Sequence, residues 1–161
     1  MNIVVANRQR TRKINTRLLK EITDALLADL KIGEADLGIN LVAAREMTLI
    51  NETFLQHEGS TDVITFDHSN PKARSKKPGT RLHGEIFICV DEAVSQSKEF
   101  KTIWQAETVR YLVHGVLHLL GHDDLQAADR RKMKREENRR LAHLTRKFSL
   151  AKIGGASKLR A

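Results

Sequence analysis

Aromatic residues are scarce in this chain, which has five Phe, one Trp and one Tyr among 161 residues. That scarcity excludes a core built on aromatic stacking and leaves few rings on which a nucleic-acid base could stack. The 40% of residues that are hydrophobic must therefore build an aliphatic core. Cysteine is rarer still. The one thiol, Cys89, can close no internal disulfide, which fits a reducing compartment, and within FICV it reads as a small buried strand residue. No run approaches the roughly 18 to 20 apolar residues of a membrane span. The N-terminal MNIVVANRQR turns basic after four apolar residues and reads as no signal peptide. A cytoplasmic protein without a membrane partner is the expectation. A length of 161 residues suits one domain with an ordinary core, and neither an internal repeat nor a second domain boundary is visible.

Charge is plentiful and unevenly placed. Residues 130–161 carry 12 Lys+Arg against 2 Asp+Glu, whereas residues 1–129 hold the other 16 and 18. A nearly neutral body thus precedes a basic tail. A run such as RRKMKREENRR is commonly the solvated face of a last helix. The excess is one-sided, however, and continues through Arg146, Lys147, Lys152, Lys158 and Arg160, which favours a polyanionic partner. Arg130, Arg131, Lys134 and Arg135 are the candidate contacts to it.

Apolar periodicity predicts strands at residues 2–5, 37–43, 63–66 and 86–90 and helices at 15–30, 44–55, 91–100, 104–120 and 127–148. Residues 70–80, rich in Pro, Gly and Lys, read as a loop. Gly154 and Gly155 end regular structure, so residues 1–150 form the domain and 151–161 a basic tail expected to be disordered. Strands mixed with helices, and the most apolar helix late in the chain, predict a single α+β domain whose small mixed sheet packs around that central helix.

That helix carries the chemistry. Residues 111–124 read YLVHGVLHLLGHDD, with His114 and His118 four apart on an otherwise apolar segment. One helical turn brings positions i and i+4 to the same face, so both imidazoles can address one metal ion. A lone histidine on an apolar face is more often a satisfied core residue, but a buried pair with neither metal nor proton partner is costly. Gly121 offers a helix stop, and His122, Asp123 and Asp124 follow at once. A catalytic zinc site takes three protein ligands and leaves the fourth position open. Asp124 is the favoured third ligand because the chain has room to return by that point; His122 is its rival, and Asp123 could orient a ligating imidazole. The spacing is similar to the HExxHxxGxxH pattern of metzincin proteases, but Gly115 occupies the position of the Glu that acts there as general base.

HGVLHLLGHDD resembles the HGxLHLxGYDH signature of the YbeY family of bacterial metal-dependent endoribonucleases. The resemblance extends to STDVITF at residues 60–66, like the family's TDVLSF strand, to HGEIFIC at 83–89, like its GDI strand, and to LINETF at 49–54, like its LNxxY segment. These four motifs cover about residues 45–124 in the family's order. The resemblance implies a YbeY-like domain over residues 1–150, with the metal-bearing helix at its centre. One Zn2+ per chain would be held by His114, His118 and Asp124, and no small-molecule cofactor would be needed. It implies single-stranded RNA as substrate, ribosomal RNA or the small ribosomal subunit as partner, and roles in small-subunit rRNA 3′-end maturation and ribosome quality control. Thr61, Asp62 and Phe66 would shape the cleft beside the metal, with Gly84 and Glu85 on the second matching strand.

Two departures stand out. The family's third ligand is usually His where this chain has Asp124, which leaves a more negative site that can still bind zinc. The family's Arg after LNxxY is replaced by Leu55, so a cation for the phosphate must come from elsewhere, with His57, Arg81 and the basic tail as candidates. Leu55 also makes a ribosome-assembly RNA-binding protein with a structural metal the alternative reading, and a metalloprotease is third.

Overall fold

The computed structural model describes residues 1–69 and 81–154. Strand β1 (Asn2–Asn7), helix α1 (Thr16–Asp29), strand β2 (Glu34–Val42), helix α2 (Ala44–Phe54) and strands β3 (Val63–Asp67) and β4 (Arg81–Cys89) come first. Helices α3 (Val90–Phe100), α4 (Trp104–Leu119) and α5 (Ala127–Lys147) follow, and a 3-10 turn (Leu150–Gly154) ends the described chain. The strands form one mixed sheet in the order β1-β2-β4-β3. β1, β2 and β4 run parallel, and β3 is antiparallel to β4 at one edge. This is the expected α+β domain. Among the described residues, no helix is long and apolar enough to cross a membrane.

The pleat sends alternate residues to opposite faces. Leu37, Ile39 and Leu41 of β2, paired with Gly84, Ile86 and Ile88 of β4, face the main core with α1, α4 and α5. Residues of the other parity, Val42 and Cys89, join Met47 and Ile50 of α2 in a smaller cluster. Helix α1 starts where the Asn15 side chain accepts the Leu18 N–H at 3.0 Å. Helix α4 lies against β3 and β4 and also touches α3, α5 and the 3-10 turn, so it is the central helix. Gly115 permits that approach, because a Cβ there would stand 2.8 Å from Ile86 Cγ2.

Helix α5 is fastened to α1 by Arg140, which donates to Asp29 Oδ2 at 2.8 Å, and by His143 Nδ1, 3.2 Å from Asp29 Oδ1. The 3-10 turn docks too. Ile153 is fully buried, its carbonyl accepts the Asn15 N–H at 2.8 Å, and Gly154 lies against Trp104 and Gln105. Folded structure thus continues to Gly154, past the boundary drawn at residue 150, while residues 155–161 and the loop at 70–80 lie outside the described residues. β4 begins at Arg81, five residues before the predicted start. Gly84 stands on its core face between Leu82 and Ile86 and interrupts the apolar alternation on which the prediction rested.

Candidate metal centre

Val113, Val116 and Leu117 anchor α4 in the core, which turns His114 and His118 together to its half-buried rim. Their rings lie 4.5 Å apart between centroids and are inclined by 73°. The helix ends where Leu120 donates to the Val116 carbonyl, and Gly121, at φ +104°, reverses the chain in a conformation few side chains tolerate. The reversal returns Asp124 to the histidines. Its Oδ2 lies 3.6 Å from His114 Nε2 and 3.4 Å from His118 Nε2, and one ligand atom from each of the three residues falls within 4.8 Å of the others.

These separations suit a small cation. Bonds of about 2.0–2.2 Å at tetrahedral angles set neighbouring ligand atoms roughly 3.3 Å apart. Two imidazoles and a carboxylate also match the three-ligand set of catalytic zinc sites with one position open. Among the described residues, neither His122 nor Asp123 joins such a group. Asp123 Oδ1 instead accepts the Leu125 N–H at 3.0 Å.

The carboxylate behind the site is Glu137, which the sequence reading passed over. Its side chain is only 8% exposed, and its Oε2 lies 2.5 Å from His114 Nδ1. That contact occupies Nδ1 and leaves Nε2 turned toward Asp124, the arrangement by which outer carboxylates set a ligand's tautomer and ring angle. Burial works against the imidazolium, but the Glu137 hydrogen bond and charge, with Asp62 and Asp124 nearby, outweigh it and raise the His114 pKa. Glu137 also faces Arg110, whose Nη1 lies 3.5 Å from Glu137 Oε1 and donates to Asn138 Oδ1 at 2.9 Å. One signal could have revealed it. Glu137 shares the buried face of α5 with Met133 and Leu144, an apolar position occupied by a carboxylate.

A pocket of about 450 Å³ opens beside His114 and Asp124. Asp62 lines it, as expected for a cleft residue, and its Oδ1 accepts the Val63 N–H at 2.8 Å. Thr61 and Phe66 do not line it; Phe66 instead packs edge-on between Phe54 and Phe87. Gly84 lets β3 and Leu119 approach β4, and Glu85 meets Asn40 and His68. The cations in the pocket wall are Arg110, Arg130 and Lys134. Arg130 also steadies the loop that carries Asp124 by donating to the Leu125 carbonyl at 3.0 Å. Arg131 and Arg135 are exposed on α5 outside the pocket lining. Leu55 caps α2 away from the pocket, His57 is exposed, and Arg81 pairs with Glu34 at 2.8 Å. None of the three supplies a cation to the pocket wall.

The family profile described as endoribonuclease YbeY matches residues 4–145. The chain belongs to the YbeY family. It is similar to the endoribonuclease YbeY of Salinibacter ruber, 38% identical over 93 residues, a match covering 57% of this chain and 59% of that protein. The chain therefore aligns with about three fifths of that YbeY's length. It is also similar to the endoribonuclease YbeY of Syntrophotalea carbinolica, 31% identical over 148 residues, covering 91% of this chain and 97% of that protein. The solution structure of TM1509 from Thermotoga maritima shares this chain's fold, with a TM-score of 0.66, 20% identity, and 100% of this chain and 99% of that one covered.

Proposed function

We propose that this chain is a zinc-dependent, single-strand-specific endoribonuclease of the cytoplasm. Its substrate would be ribosomal RNA, in maturation of the small-subunit 3′ end and in ribosome quality control. The observation that carries this reading is the convergence of His114, His118 and Asp124, two of which line a pocket whose wall also holds Arg110, Arg130 and Lys134. Membership of a family described as endoribonucleases supports it.

A zinc ion bound by the triad would supply a Lewis acid for the phosphoryl group and would make water a usable nucleophile near neutral pH. The chain supplies the rest. Glu137 holds His114 with Nε2 free to ligate. Arg130 and Lys134 offer the positive charge that a phosphodiester needs beside the metal, a role left open by Leu55. Arg131 and Arg135 extend that charge along α5 for sequence-independent contacts to the RNA backbone.

The test joins elemental analysis to cleavage. The purified chain is expected to hold one zinc and to cut single-stranded ribosomal RNA fragments, with cleavage lost on chelation and in His114→Ala. Asp124→Ala should lose the metal; if stoichiometric metal stays, the third ligand is His122 or Asp123. Leu55, uncharged and outside the pocket, favours one second reading, an assembly factor with a structural metal. RNA that is bound tightly but never cut by the metal-loaded chain would establish it.

A further inference from the structure

We infer that the pocket beside the triad is a base-recognition subsite, which takes an unpaired nucleobase bearing an exocyclic amino group from an RNA whose phosphate lies at the metal centre. This rests on the reading of the triad as an RNA-cleaving site. A volume of about 450 Å³ falls within the range of about 300–1,000 Å³ typical of small-molecule sites. The wall follows one face of α4 from Glu107 through Tyr111 to His114. At 1.5 Å per residue, that face runs about 10 Å from the triad.

Tyr111 is the deciding residue. It is 5% exposed, and its hydroxyl is a buried side-chain polar atom with no hydrogen-bond partner among the described residues. A buried hydroxyl left unpaired costs about 1–3 kcal/mol, which a ligand atom can recover. Tyr111 lines the pocket with Asp62 and Glu107, two of the carboxylates whose charge acts on its hydroxyl. Burial, then Asp62, Glu107 and Glu92, raise its pKa and keep it a protonated donor.

Glu107 is buried in the same wall. Its Oε2 accepts the Thr102 hydroxyl at 2.9 Å, which leaves Oε1 for another donor. Carboxylates accept from base amino groups such as N4 of cytosine and are repelled by a carbonyl in that place. Adenine, cytosine and guanine can offer an amino group to Glu107 and a ring nitrogen or carbonyl to the Tyr111 hydroxyl, whereas uracil offers Glu107 only its N3–H, flanked by two carbonyl oxygens that the carboxylate repels. Phe100, 60% exposed, stands in the pocket lining at the end of α3 and offers a ring face for stacking. Gln96, one turn earlier, adds an amide that can both donate and accept.

The test uses the full chain labelled with 15N and held in EDTA, so that binding is read without metal or cleavage. Cytidine 5′-monophosphate is expected to shift the amides of Gln96, Phe100 and Tyr111 and to bind several-fold more tightly than uridine 5′-monophosphate. Tyr111→Phe, which removes only an unpartnered hydroxyl, should weaken the cytidine nucleotide about fivefold with the melting temperature held or raised. Phe100→Ala should weaken it about tenfold. Equal affinity for the two nucleotides, shifts confined to the exposed basic face of α5, or an unchanged Tyr111→Phe would overturn the inference. RNA cut with no preference between C and U sinks the subsite alone, whereas a bound cytidine nucleotide without any RNA cleavage keeps the subsite and sinks the nuclease.

Discussion

Glu137→Gln retains the size of the side chain behind His114 but removes the charge that orients and polarises the imidazole. Metal affinity should fall 10- to 100-fold, measured by competition with a chelator of known affinity, while the far-ultraviolet circular dichroism stays unchanged. Gly115 predicts the opposite pattern. Gly115→Ala drives a Cβ into Ile86 and should cost about 1–3 kcal/mol in urea unfolding without touching a ligand. At the position that carries a general base in metzincins, any side chain here would have to displace Ile86 of β4. His114, His118 and the return to Asp124 were legible because a helical period and a turn glycine fix their geometry locally. Glu137 was obscured for a physical reason. It sits within a run of charges of the kind usually solvated, and only its alignment with Met133 and Leu144 marks it as buried.

At the scale of helices and strands, α5 is tied to α1 through Asp29, which meets both Arg140 and His143. Burial disfavours the Asp29 carboxylate, but hydrogen bonds and charge from Arg140 and then His143 outweigh it and hold its pKa below the ordinary value. A depressed carboxylate contributes stability that is complete above the unfolded pKa of about 4 and is lost as pH falls through the lower folded value. Asp29→Asn should therefore destabilise the chain by about 1 kcal/mol at pH 7. The difference should vanish in strong acid, as followed by urea unfolding at several pH values. Long-range pairs such as Asp29 with Arg140 are invisible to periodicity, which reads only neighbours along the chain. Strand β4 was half legible for a related reason, since its glycine takes a core position without an apolar side chain.

Over the whole molecule the excess of 28 Lys+Arg over 20 Asp+Glu is a statement about partners rather than fold. If α5 tracks an RNA backbone, replacing Arg131, Lys134 and Arg135 together by Gln should make the logarithmic salt dependence of RNA binding shallower by about 2, near 0.7 for each lost contact to a single strand. An unchanged slope would mean that this face of α5 is only solvated. The α+β class was legible because strand and helix periods alternate along the chain, whereas the sheet order β1-β2-β4-β3 follows from contacts no local pattern encodes. The docked 3-10 turn has a practical consequence. It rests on Trp104, the sole tryptophan, at the far end of α4 from the histidines. Ten residues of helix, about 15 Å, separate that indole from His114. Its fluorescence is thus an intrinsic reporter of whether the C-terminal turn is seated, and it can be followed while ligands are exchanged at the other end of the same helix.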